Sequence, residues 1–258
     1  MKEIGLNLFS IRNLIKTEDD FRRTLISLKE GGYTFVQLSG CPLEYPTVKK
    51  VIEEVGIPIK LTHSPLARLK NDLDNLLKDH ESIGCTYVGL GAYVPEVYID
   101  KDTFRREIDE MEKIAEKIEG AGFKFFHHNH HYEFIKHDEK TGYDYIIENA
   151  PHIHFIFDTY WAQYGGVDVR EYMKKLKGRM ECVHLKDYGL VQDETATDVK
   201  IIPRFVPVGN GNMDFKTLVP EMKKLGTEYF IVEQDNAALL PNTLEQVLIS
   251  AKYIKENL

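Results

Sequence analysis

The chain of 258 residues is 43% hydrophobic and 29% charged, ordinary usage for a globular protein of one large or two small domains. Its formal net charge of −8, with no dense Lys/Arg stretch, opposes binding to nucleic acid or to an anionic membrane surface. An opening without a signal-peptide core, no apolar run near the roughly 18 residues of a membrane span, and three scattered cysteines without a CxxC pair make a reducing cytoplasm the expected setting.

Apolar runs of strand length recur along the chain: IGLNLF (4–9), TFVQL (34–38), IPIKLT (57–62), TYVGLG (86–91), FKFFHH (123–128), HIHFIF (152–157), ECVHL (181–185) and EYFIVE (228–233). Nearly continuous apolarity marks strands buried on both faces, as in a parallel sheet covered by helices. Amphipathic stretches lie between them. TEDDFRRTLISLKEGG (17–32) opens on a capping threonine with acids in its first turn and closes on Gly31-Gly32. TFRREIDEMEKIAEKIEGAG (103–122) sets Ile108, Met111, Ile114, Ala115 and Ile118 on one stripe. Shorter versions at 167–178 and 213–226 have the same glycine stop, and 187–212 is the longest irregular piece. Eight strands and about eight helices, at roughly thirty residues per step, predict one α/β domain over residues 1–258, a closed (β/α)8 TIM barrel. The alternative is an open doubly wound sheet, but no GxGxxG follows the first run.

A barrel gathers its active site at the C-terminal ends of its strands. There the fifth run leads through HHNHHYE to Glu133, and the sixth runs straight into Asp158. The seventh carries His184 and then Lys186-Asp187, and the eighth ends at Glu233, followed by Gln234 and Asp235. Glu133, Asp158, His184 and Glu233 form a mixed oxygen and nitrogen set for one divalent ion, Mn²⁺, Co²⁺, Mg²⁺ or Zn²⁺. Without a thiolate it is no closed structural zinc site, and positions remain for two substrate oxygens. Each residue also has a plain alternative. Asp158 can cap the next turn, His184 can be a hydrogen-bonded core histidine, and Glu133 and Glu233 can be solvated rim charges. Their shared place at successive strand ends favours the metal. Histidines 127, 128, 130 and 131 cannot all face it, because successive strand residues point to opposite sides. His128 and His130 are assigned to the substrate pocket.

IGLNLFSIR, GYTFVQLSG, HNHHYEF, DTYWAQYGGVDV, HLKD, PVGNGNMDF and IVEQD, in that order along the chain, resemble the xylose-isomerase-like TIM barrels of the sugar phosphate isomerase/epimerase group. The resemblance implies a sugar isomerase or epimerase that removes a proton next to a metal-bound carbonyl and passes through an enediolate. In the ketose 3-epimerases of that group Glu, Asp, His and Glu on successive strands hold the metal. Those positions match Glu133, Asp158, His184 and Glu233, with the two glutamates trading the proton. A C–H beside a carbonyl is a very weak acid, so a Lewis acid at the oxygen and a carboxylate on each face suit that reaction. The implied partner is a small sugar, sugar phosphate or keto-sugar.

Two departures stand out. Trp161, in DTYW, replaces the substrate-binding histidine of the epimerases' DTFH, and an indole stacks on a sugar's apolar face without bridging hydroxyls. After His184 the chain reads LKD, which leaves Lys186 to steady an oxyanion, contact a phosphate or carboxylate, or pair with Asp187. Arg204, in PRFVPVG, matches an epimerase arginine that contacts substrate, and His63, in LTHSP, completes the substrate-binding set. Both departures point toward inosose dehydratases or lyases of keto-glycosides, where the same enolate expels a β-oxygen. Three rival readings fit these residues less well. A metal-dependent endonuclease shares the barrel and His63 but needs a histidine at position 161. A non-catalytic sugar-binding barrel would have lost a ligand. A metal-free glycosidase would not set Asp158 and His184 between its two glutamates. Such barrels often dimerise through exposed rims, and nothing in the sequence specifies or opposes a homo-oligomer.

Overall fold

Each of the eight apolar runs forms an extended segment in the computed structural model, which describes residues 3–258. In chain order the strands are β1 (Gly5–Asn7), β2 (Phe35–Leu38), β3 (Ile59–Thr62), β4 (Tyr87–Leu90), β5 (Lys124–His128), β6 (Lys136–His137), β7 (Lys140–Thr141), β8 (Ile153–Asp158), β9 (Cys182–Leu185), β10 (Asp187–Gln192), β11 (Ile201–Val206) and β12 (Tyr229–Val232). Eight of them form one sheet in the order β3-β2-β1-β12-β9-β8-β5-β4. Its neighbours pair in parallel. The ends of the sheet meet where Ser64 bridges to Leu90 and its N–H donates to the Gly89 carbonyl at 2.7 Å. The expected (β/α)8 barrel is therefore the observed one, with helices around a nearly closed sheet. No helix among the described residues is long and apolar enough to cross a membrane.

The helices begin and stop where local chemistry dictates. Thr17 caps Glu18–Glu30 by accepting the Asp20 N–H, and the helix buries Phe21, Leu25 and Leu28. The stripe of Ile108, Met111, Ile114, Ala115 and Ile118 is buried as expected. Its helix, Lys101–Gly120, starts two residues before the expected Thr103 because Asp100 supplies the cap. Phe215–Leu225 ends at Gly226, whose φ of +102° is the left-handed conformation that stops a helix.

Inside the barrel Phe35, Leu61, Phe126, Ile156, Cys182 and Ile231 form their own core, separate from the larger one beneath the helices. Two glycines complete this layer. A Cβ on Gly5 would lie 2.2 Å from the Phe35 ring, and one on Gly89 would lie 2.2 Å from the Thr62 carbonyl oxygen. Side chains on one face of a strand recur every second residue. The next inward positions toward the mouth are therefore Asn7, Gln37, His63, Gly91, His128, Asp158, His184 and Glu233.

The segment 187–212, expected to be irregular, instead forms the antiparallel ribbon β10–β11, with Tyr188 opposite Phe205 and Leu190 opposite Pro203. Gly189 and Pro203 interrupt the apolar alternation that would have marked it. Asp187 anchors its base. One carboxylate oxygen accepts the N–H of Tyr188 and Met213, and the other accepts those of Gly209 and Gly211, at 2.9–3.1 Å. The alternative of a Lys186–Asp187 pair is therefore not realised. Asp187→Ala should lower the unfolding free energy by about 3 kcal/mol in a urea titration, because it strands several buried donors at once. An unchanged midpoint would show that this latch carries no stability.

Candidate metal centre

Four buried side chains converge at the mouth: His128, Asp158, His184 and Glu233, with one ligand atom of each within 4.8 Å of all the others. Asp158 divides its two oxygens. Oδ1 caps the helix Thr159–Tyr164 by accepting the Trp161 N–H at 3.0 Å, and Oδ2 is left to the centre. The capping and ligand readings of this residue are thus compatible. Glu233 is divided likewise, with Oε1 accepting from Asn7 Nδ2 at 2.6 Å and Oε2 turned to the centre.

Each histidine is oriented from behind. His128 Nδ1 lies 2.9 Å from the Gly91 carbonyl, which can only accept, so Nδ1 carries the hydrogen and Nε2 presents a lone pair. His184 is held between Gln37, whose side-chain amide lies 2.7 Å from its Nε2, and Glu233 Oε2, 2.8 Å from its Nδ1. His128 Nε2, Asp158 Oδ2, His184 Nδ1 and Glu233 Oε2 are all buried and face one another. Two buried carboxylates brought this close repel, and the Lys186 ammonium between them balances only part of that charge. A divalent ion resolves that conflict, and acceptors that fix the far side of each imidazole are usual around metals. These residues fit such an ion.

Lys186 completes the electrostatics. Its buried Nζ lies 3.1 Å from Asp158 Oδ2, 2.9 Å from Glu233 Oε2 and 3.1 Å from Asp235 Oδ2. It also sits 5.0 Å from the Trp161 ring centroid and 5.4 Å from that of Phe205. Burial disfavours the ammonium, but the three carboxylates outweigh burial and hold its pKa above the ordinary value. Burial, reinforced by Glu233 and opposed by Lys186, raises the carboxyls of Asp158 and Asp235. Burial also acts on Glu233, yet there the Lys186 charge prevails and holds the carboxyl well below the usual range. Burial and the neighbouring His184 keep His128 well below its ordinary value, hence neutral. Three carboxylates around one ammonium fall two positive charges short of neutrality, the charge of one divalent ion.

Of the four residues expected to hold metal, the structure brings together Asp158, His184 and Glu233. Glu133 lies beyond the end of β5 in the turn Tyr132–Phe134, and its buried carboxylate accepts from Tyr98 O–H at 3.0 Å and His130 N–H at 2.8 Å. His128, expected to touch substrate, stands in the cluster instead. His63 and His130 line the adjoining cavity of about 420 Å³ together with Lys186, Glu233 and Asp235. The His63 ring packs against His128 and His184, filling the room that the side-chain-free Gly91 leaves. Burial pushes the His130 imidazole down to about 3. Trp161 packs against His130, His131 and Phe205, with its indole N–H buried and unpartnered.

His127 points away from the centre and packs against Tyr93 and Tyr143. Arg204 is exposed on β11, while its neighbour Phe205 turns toward Trp161 and Lys186. Asn7, Gln37 and Asp235 were missed as partners of the centre. The signal for Gln37 and His128 lay in the alternation, since each follows an inward phenylalanine, Phe35 or Phe126, by two residues.

An inosose dehydratase of Clostridium perfringens is 24% identical over 177 residues, a match covering 64% of this chain and 57% of that relative's length. A solved sugar phosphate isomerase/epimerase from Parabacteroides distasonis superposes with a TM-score of 0.77 at 21% identity, covering 99% of this chain and 98% of its own. A solved L-ribulose 3-epimerase does so with a TM-score of 0.70 at 15% identity, covering 100% and 94%. At these identities the two structures share the fold. The match to the xylose isomerase-like TIM barrel family runs from residue 13 to residue 257, through every barrel strand after the first, and the chain belongs to that family.

Proposed function

We propose that the protein is a divalent-metal-dependent lyase that removes a proton beside the carbonyl of a small cyclic keto-polyol or keto-sugar and expels the β-oxygen. One observation carries this choice of outcome. Of the two glutamates that a two-base epimerisation requires, only Glu233 reaches the centre, and His128 occupies the place expected for Glu133. Inversion of a carbon needs a proton carrier on each face, whereas elimination can proceed with one.

His128, Asp158, His184 and Glu233 would hold the ion, and two imidazoles among four ligands favour Zn²⁺, Co²⁺ or Mn²⁺ over Mg²⁺. Such an ion supplies Lewis acidity toward the substrate carbonyl. Glu233, anionic and steadied by Asn7, takes the proton from the carbon beside that carbonyl. The electrons of the C–H bond become the new C=C bond, and the bond to the β-oxygen breaks. Glu233 then returns the proton to the departing oxygen on the same face, giving an unsaturated ketone and water, or an alcohol from a glycoside. Lys186, which lines the adjoining cavity, would present a donor toward substrate oxygens. The relative named inosose dehydratase supports this reading, which keeps the expected cytoplasmic setting. Isomerisation or epimerisation is the second reading. It is favoured by His63, whose buried Nε2 lacks a partner and could serve as the second proton carrier.

The test follows ketoses, ketose phosphates, keto-inositols and 3-keto-glycosides by NMR in D₂O with metal-stripped and Mn²⁺-reloaded protein. The expected result is metal-dependent loss of water or alcohol from a cyclic ketone. An inverted centre that keeps its hydroxyl would establish the epimerase instead. Absence of any exchange, with metal tightly bound, would favour a barrel that binds without reacting.

A further inference from the structure

Lys186 and a divalent ion require the same two atoms. The lysine ammonium contacts Asp158 Oδ2 and Glu233 Oε2, and both belong to the four converging acceptors of the cluster. Two cations cannot share those oxygens at such distances without strong repulsion. The third carboxylate around Lys186 differs from the other two. Asp235 is outside the converging four, and its side chain is 28% exposed, against 0% for Asp158 and 5% for Glu233. Its backbone is pinned by Arg12, whose guanidinium donates to the Asp235 carbonyl at 3.0 Å. The rings of Trp161 and Phe205 already flank the ammonium.

We propose that Lys186 is a resident counterion of the metal-free centre, that it yields Asp158 and Glu233 when a divalent ion binds, and that Asp235, with the faces of Trp161 and Phe205, is the station that retains it. This inference rests on the metal-centre reading above. The charges favour the exchange: the ion matches Asp158 and Glu233, Lys186 matches Asp235, and no buried carboxylate of the set is left uncompensated. Lys186 stays in the cavity as a charged donor beside the substrate. Asp235 is the positioning residue that keeps it there.

Trp161 is the chain's single tryptophan, so its fluorescence reports on the ammonium beside it. The experiment titrates the full, metal-stripped chain with Zn²⁺ by calorimetry and by tryptophan emission, with circular dichroism to confirm folding. Wild type should bind one ion and change its emission. Lys186→Met should bind about tenfold or more tightly and lose the emission change, and Asp235→Asn should bind about tenfold more weakly. If Lys186→Met fails to fold, Asp235→Asn on the more open side of the cavity still carries the test. Equal affinities in wild type and the folded variants, or an emission change that persists without Lys186, overturns the proposal. Failure of wild type to bind Zn²⁺ at all overturns the metal-centre reading instead.

Discussion

Glu233→Gln is expected to lower kcat by about 10³-fold or more while the barrel remains folded, because the change removes a charge from the centre and the proposed proton carrier together. Glutamine keeps the side-chain volume, so circular dichroism should show an intact barrel, while the urea midpoint falls because Lys186 loses a buried partner. The informative comparison is Glu133→Gln. That carboxylate serves Tyr98 and the His130 backbone, and it lies outside the cluster. Its amide can still accept one of those two bonds. The expected loss in kcat is within about tenfold, with about 1–2 kcal/mol of stability lost as a buried donor goes unmet. Equal collapse of both variants, with folding intact, would restore the two-carboxylate mechanism that the sequence implied.

The other large effect is expected at the seam. Gly89→Ala would set a Cβ 2.2 Å from the Thr62 carbonyl oxygen, a backbone atom that cannot rotate away. The neighbouring Ser64–Leu90 bridge joins the two ends of the sheet, so relief of the clash would pull that junction apart. A loss of about 3 kcal/mol or more is expected in urea unfolding, at the upper end of overpacking penalties. Gly120→Ala is the control. It sits at the end of a helix with nothing within 4 Å of its would-be Cβ, and it should be neutral or slightly stabilising. Equal stability of the two variants would show that the seam can flex.

The barrel was legible because its strands are buried on both faces, which writes them as unbroken apolar runs. Caps such as Thr17 were legible because side-chain capping is local chemistry. The β10–β11 ribbon was not, since Gly189 and Pro203 break its pattern and its anchor, Asp187, bonds to groups up to 26 residues away. At the centre, Asp158, His184 and Glu233 follow from their places at the ends of apolar runs. Glu133 illustrates the limit of that reasoning. A chain leaving a strand can turn before it delivers its carboxylate, and the turn Tyr132–Phe134 does so. Asn7 and Gln37 escaped notice because a buried amide has no charge or motif to mark it; only their partners on other strands, Glu233 and His184, give them a role.

The inward layer of Ile156, Cys182 and Ile231 lies one step below Asp158, His184 and Glu233 on the same three strands. Along one face of a strand, successive side chains stand about 7 Å apart, so each reactive residue rests on an apolar side chain of its own strand. Exchanging one upper residue leaves the footing of the others in place. The barrel can therefore acquire a new reaction one strand at a time, with each intermediate sequence still able to fold, and its capacity for change resides in the same alternation that makes it stable.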